Sequence, residues 1–98
     1  MNDQRALKDL FSIGGAMLED FRILGITSVS QLKRRSAHRL YDRLCRLTGT
    51  LQDICVLDAF QCAIAQANDQ NLPAEQCRWY YWSRVRKAST PKERSRKR

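Results

Sequence analysis

The sequence predicts an all-α protein: a compact bundle of five or six helices over residues 3–84, followed by a disordered basic tail at 85–98. Three observations carry this expectation. No segment sustains the apolar–polar alternation of a half-buried strand, whereas apolar residues recur at intervals of three and four throughout. Residues that start and stop helices fall between those runs. The 98 residues, 43% hydrophobic and 29% charged, suit one small globular domain.

Leu7, Leu10 and Phe11 define a short opening helix. After Gly14 and Gly15, residues Met17, Leu18, Phe21 and Leu24 fall at helical spacing, and Gly25 stands where a left-handed C-terminal cap belongs. Ser28 followed by Gln31 is a capping box and opens a short third helix that ends in Lys33, Arg34 and Arg35. Ser36 is the next N-cap, with Leu40, Tyr41, Leu44 and Leu47 as the apolar face and Thr48 and Gly49 as the stop. A fifth helix starts near Asp53 along Ile54, Leu57, Phe60, Ile64 and Ala67; it is the longest, richest in alanine and expected to be the most buried. Pro73 suits the first turn of a last helix, on which Trp79 and Trp82 are spaced as core anchors while Tyr80 or Tyr81 faces water.

Charge is divided unevenly. From Arg84 onward there are eight basic residues and one acid, Glu93, leaving ten basic and nine acidic groups in the first 83 residues. The net charge of +8 therefore resides almost wholly in the tail, which is too polar to order itself. No apolar run reaches the ~18 residues of a membrane span, and the first fifteen residues lack the pattern of a signal peptide, so a cytoplasmic protein is expected. Cys45, Cys55, Cys62 and Cys77 include no Cys-x-x-Cys pair, which argues for free, largely buried thiols over a zinc site. His38 is the only histidine, no hydroxyl or thiol stands in a nucleophile arrangement, and a non-enzymatic protein without a cofactor is expected.

The stretch "FSIGGAMLEDFRILGI" holds the main functional signal. Two helices joined through "SIGG", with a third element at "LGITSV", have the spacing of a helix-hairpin-helix. In that motif the turn presents backbone N–H groups at a helix start, where the helix dipole also favours an anion such as a nucleic-acid phosphate. With "LYDRLCRLTG", "CVLDAFQCAI" and "RWYYW" following in order, the chain from Leu7 to Trp82 resembles the small helix-hairpin-helix proteins of the pathogenicity-locus or mitomycin-resistance-protein-like family. The first half is also similar to the C-terminal domain of competence-regulator proteins. The resemblance implies a helix-hairpin-helix bundle connected with nucleic acid, in a family without an assigned biochemical activity.

The hairpin departs from the usual Gly–apolar–Gly pattern. Ser12 replaces the first glycine, Ala16 stands where a base is common, and Glu19 and Asp20 follow on the first turns of the next helix, where acids repel a phosphate lying within a screening length of about 8 Å. Two readings stay open for Ser12, Gly14, Gly15 and Ala16: a phosphate site, or a turn kept for architecture. Lys33, Arg34, Arg35, Arg39, Arg43 and Arg46 form either a phosphate track or a solvated helix face. "WYYW" allows base stacking, with core packing the plainer alternative. The tail, with Arg94, Arg96, Lys97 and Arg98, attracts nucleic acid ahead of a membrane surface or an acidic protein, or serves solubility. The leading expectation is weak, sequence-independent binding of nucleic acid, DNA ahead of RNA. The alternative is a protein-interaction adaptor in which the hairpin is purely structural.

Overall fold

The computed structural model describes residues 5–89. Among these are four α-helices and no strand: α1 (Gly15–Leu24), α2 (Ala37–Thr48), α3 (Ile54–Asn68) and α4 (Trp79–Ser89). Single 3-10 turns at Leu7–Asp9, Val29–Leu32 and Ala74–Cys77 connect them. The all-α expectation holds, but the opening and third helices are two of these turns. The reason lies in their burial pattern. Leu7 and Leu10, and likewise Val29 and Leu32, are buried three residues apart, and 3-10 geometry puts i and i+3 on one side. One turn buries both anchors, and the chain then changes direction.

Capping residues act where the sequence places them. Gly25 is left-handed, with φ 79°; its N–H donates to the Arg22 carbonyl, and the Ile26 N–H reaches back to Phe21 at 2.9 Å. These two bonds close α1 while burying Ile26. Gly49 ends α2 in the same way. Ser36 Oγ accepts the Arg39 N–H at the start of α2, and Asp53 Oδ1 accepts the Cys55 N–H at 2.9 Å at the start of α3. That bond holds the Asp53 carboxyl below its ordinary range.

The longest helix, α3, is the centre of the molecule, packing against α4 and α2 and against the turns at Val29–Leu32 and Ala74–Cys77. Its Phe60 meets Phe21 of α1 with ring centroids 5.6 Å apart, and both rings are fully buried. Ala59, Ala63 and Ala67 let the neighbouring elements approach closely. Leu47 and Ile54, expected on apolar faces, are exposed instead, because they flank the α2–α3 connection, where the bundle ends. All four cysteines are free, Cys62 and Cys77 buried and the other two half-buried.

The boundary expected at residue 84 lies inside α4, which runs on to Ser89. Arg86 explains the extension. Its Nε and Nη2 donate to Asp58 Oδ1 and Oδ2 at 2.8 and 3.0 Å, and Asp58, on α3, is only 1% exposed. A buried carboxylate needs such a partner, so the basic sequence after residue 84 is drawn into the helix. Residues 90–98, with Arg94, Arg96, Lys97 and Arg98, lie outside the described residues. No helix among the described residues is long and apolar enough to cross a membrane.

Two outcomes follow from this packing. Arg86→Met, which leaves the buried Asp58 carboxylate without its guanidinium, lowers unfolding free energy by about 3–5 kcal/mol in urea titration, whereas an Asp58→Leu/Arg86→Met pair recovers most of it. Burial pushes the Cys62 thiol up to about 11. Its reactive thiolate is therefore scarce at neutral pH, and mass spectrometry after iodoacetamide treatment shows Cys62 modified only in denaturant, with Cys45 modified in the native protein.

Candidate functional site

Two surfaces carry the residues singled out from the sequence. The first is a groove of about 660 Å3 lined by Arg34, Arg35, Ser36, Arg39, Leu40, Asp42, Arg43 and Arg46. Its origin is local. Helix α2 buries Ala37, Leu40 and Leu44, so Arg39, Arg43 and Arg46, at intervals of four and three, share the opposite side. The 33–36 turn then delivers Arg34 and Arg35 to the same concavity, and Arg35 Nε reaches the Gln31 carbonyl at 3.4 Å. Five of the six expected basic residues thus converge. Lys33 is half-buried and does not line the groove.

Asp42 is the only acid on this surface, and among the described residues no carboxylate forms an ion pair with Arg34, Arg39, Arg43 or Arg46. Five guanidiniums in one concavity repel one another at neutral pH and reinforce an attraction for polyanions. His38 is exposed on α2 and is not among the lining residues.

The second surface is the turn before α1. Ser12 is the only described non-glycine residue with positive φ, 66°. A residue other than glycine there costs about 1 kcal/mol, which accounts for the glycine usual at this place in hairpins. Serine is held by its side chain: Oγ donates to the Cys77 carbonyl at 2.9 Å and accepts the Trp79 N–H at 3.2 Å. The Ser12 hydroxyl is therefore engaged within the protein rather than offered to a phosphate. Ile13 packs partly against the core, as its expected inward role requires.

Gly14 and Gly15 differ from what two adjacent glycines lead one to expect. Gly14 has φ −102°, Gly15 is helical, and a Cβ built on either meets no atom within 4 Å. Neither backbone angle nor internal packing demands glycine here. Among the described residues no acceptor pairs with the N–H groups of Gly15, Ala16 and Met17, and Gly14 has no side chain with which to cap α1. Glu19 is engaged on its own helix by Arg22, whose Nε donates to it at 2.9 Å, and this bond lowers the Glu19 pKa. Asp20 is raised, first by burial and then by Glu19.

Sequence reasoning missed Gln66. This α3 residue is 4% exposed, its Oε1 accepts the Phe11 N–H, and its Nε2 donates to the Phe11 carbonyl, both at 2.8 Å. The only signal was a polar side chain set among alanines. Reasoning also misplaced Trp79, which is 38% exposed and not a core anchor; Trp82, half-buried, donates from Nε1 to the Gln76 carbonyl at 2.8 Å. Helix α4 begins at Trp79, so that side chain projects at the rim, before the helix has entered the bundle.

Fold and surfaces together define a small all-α protein with a concentrated cationic groove and no strand among its described residues. The chain belongs to the family described as Cdd1, pathogenicity locus, whose profile matches residues 1–88. It is 33% identical over 86 residues to "Mitomycin resistance protein McrB" of Streptomyces lavendulae, across 88% of this chain and 78% of that protein. No solved structure matches it significantly. The family membership expected from residues 7–82 is thereby established.

The open space around Gly15 gives a measurable contrast with Gly25. Gly15→Ala raises stability by about 0.4–1 kcal/mol through the reduced freedom of the unfolded chain. Gly25→Ala, forced into left-handed backbone, lowers it by about 1–2 kcal/mol. Thermal unfolding of both variants checks the signs.

Proposed function

We propose that this protein binds nucleic acid through backbone phosphates, without sequence preference and without catalysing a reaction. The observation that carries this reading is the convergence of Arg34, Arg35, Arg39, Arg43 and Arg46 on one groove with Asp42 as its only acid. Guanidiniums bind phosphate oxygens through paired donors, and such contacts position a backbone regardless of base. DNA is the leading ligand over RNA.

In this reading residues 7–24 act as a helix-hairpin-helix. The amides of Gly15, Ala16 and Met17 receive one phosphate at the start of α1. Glycine at positions 14 and 15, which the fold itself does not require, keeps side chains away from that ligand. Arg22 offsets the repulsion of Glu19 by pairing with it. The basic residues at 94, 96, 97 and 98 add a further, sequence-independent attraction through counterion release.

A second reading, a protein-interaction adaptor, has one observation in its favour. Leu47, Leu51 and Ile54 are exposed at the α2–α3 connection, Leu51 to 83%. Apolar side chains grouped in this way suit a protein partner.

Fluorescence anisotropy with labelled duplex DNA at several salt concentrations separates the two. Each lost phosphate contact reduces the slope of log affinity against log salt by about 0.9. Reversing Arg39 and Arg43 to Glu in the full chain is expected to flatten the slope by about two contacts and weaken binding at least about tenfold. Asp42→Asn strengthens it. Unchanged affinity and slope in the reversed variant, with normal helical content by circular dichroism, leave the adaptor reading in place.

A further inference from the structure

We propose that Phe11, Trp79 and Tyr80, flanked by Arg78 and Arg84, form a base-stacking platform that gives this protein a preference for single-stranded nucleic acid. The inference rests on the nucleic-acid reading of the groove and adds a second surface to it. The three rings are exposed to 63%, 38% and 47%, although aromatic side chains of this size normally supply the core of so small a domain.

The backbone beneath these rings is fixed from inside. Buried Gln66 clamps both backbone polar groups of Phe11 at 2.8 Å. The next residue, Ser12, holds left-handed backbone while its hydroxyl joins the Cys77 carbonyl to the Trp79 amide. Buried Gln66 thus ties the Phe11 segment to α3, and half-buried Ser12 ties it to the N-terminal end of α4. Trp79 and Tyr80 then meet edge to face, with centroids 6.1 Å apart. A backbone held this way loses little freedom when a ligand stacks on the rings it carries, and that favours affinity.

The surrounding charge selects the ligand. The Arg84 guanidinium lies 5.7 Å from the Tyr80 ring centroid and 6.0 Å from that of Tyr81, and Arg78 is exposed immediately before Trp79. Aromatic faces beside cations suit a strand whose bases are unpaired and whose phosphates run alongside. A duplex keeps its base faces stacked inside, and an apolar peptide gains nothing from the arginines.

The test uses the full chain with an oligothymidylate and an abasic strand of equal length, with oligouridylate and a duplex as further arms. Wild-type protein is expected to bind oligothymidylate about tenfold more tightly than the abasic strand, equivalent to about 1.4 kcal/mol. Trp79→Ala removes that difference and leaves abasic binding unchanged. Phe11→Ala, which alters only an exposed ring, reduces the difference and serves where Trp79→Ala fails to fold. In a Trp82→Phe background, oligothymidylate quenches the fluorescence of Trp79 and the abasic strand does not. Comparable affinity for oligouridylate extends the site to RNA; a deficit restricts it to DNA.

Equal binding of the two strands by wild-type protein, or a base preference that survives Trp79→Ala, overturns the platform. If the abasic strand and duplex still bind and lose affinity on charge reversal of Arg39 and Arg43, the groove stands without it. Absence of binding to every nucleic acid sinks both, and the rings are then a face for a protein partner.

Discussion

Burial of Leu40 and Leu44 fixes the rotation of α2 about its axis, and the position of every guanidinium in the groove depends on that rotation. Each leucine gives about 1.5–3 kcal/mol when removed from water. Rotating α2 to bring Arg39 or Arg43 inward forfeits this and strands a charge against an apolar helix, a far larger penalty. The helix therefore has one acceptable face. The cationic surface is the complement of the core, and the side of α2 that carries it is fixed by what the helix buries.

A second constraint comes from polar groups inside the molecule. Gln66 and Ser12 together make four hydrogen bonds that join the segment before α1 to α3 and to the start of α4. Each contributes about 1 kcal/mol when made, and leaving a buried partner unmatched costs more. Asp58 with Arg86 does the same between α3 and the far end of α4. Helix α4 is consequently held at both ends by polar contacts, while its aromatic residues are divided between the bundle and the solvent. The fold thereby tolerates exposed rings and a basic extension on a helix with few apolar anchors.

The chain belongs to the pathogenicity-locus family and is similar to a relative named for mitomycin resistance. The groove and the turn before α1 are its two distinctive surfaces. One surface concentrates charge; the other presents backbone amides at a helix start where the protein leaves open space. Both are arrangements suited to anions, and they arise from different parts of the chain.

Much was legible in the sequence because it is governed by local rules. Gly25, Gly49, Ser36 and Asp53 act as caps since capping depends on a residue and its near neighbours, and the side shared by Arg39, Arg43 and Arg46 follows from spacing alone. Helix length was less legible: whether Val29 and Leu32 start an α-helix or a single 3-10 turn depends on what they bury against. The tertiary structure alone decided that Trp79 faces water, that Gln66 grips a backbone 55 residues away, and that Arg86 belongs to a helix through Asp58. Each depends on a partner far along the chain, and periodicity carries no information about such partners. The sequence by itself set the all-α class, the capped ends at Gly25, Ser36, Gly49 and Asp53 and the charge that α2 displays; packing determined which short runs became single turns and which aromatic and polar side chains became surface or support.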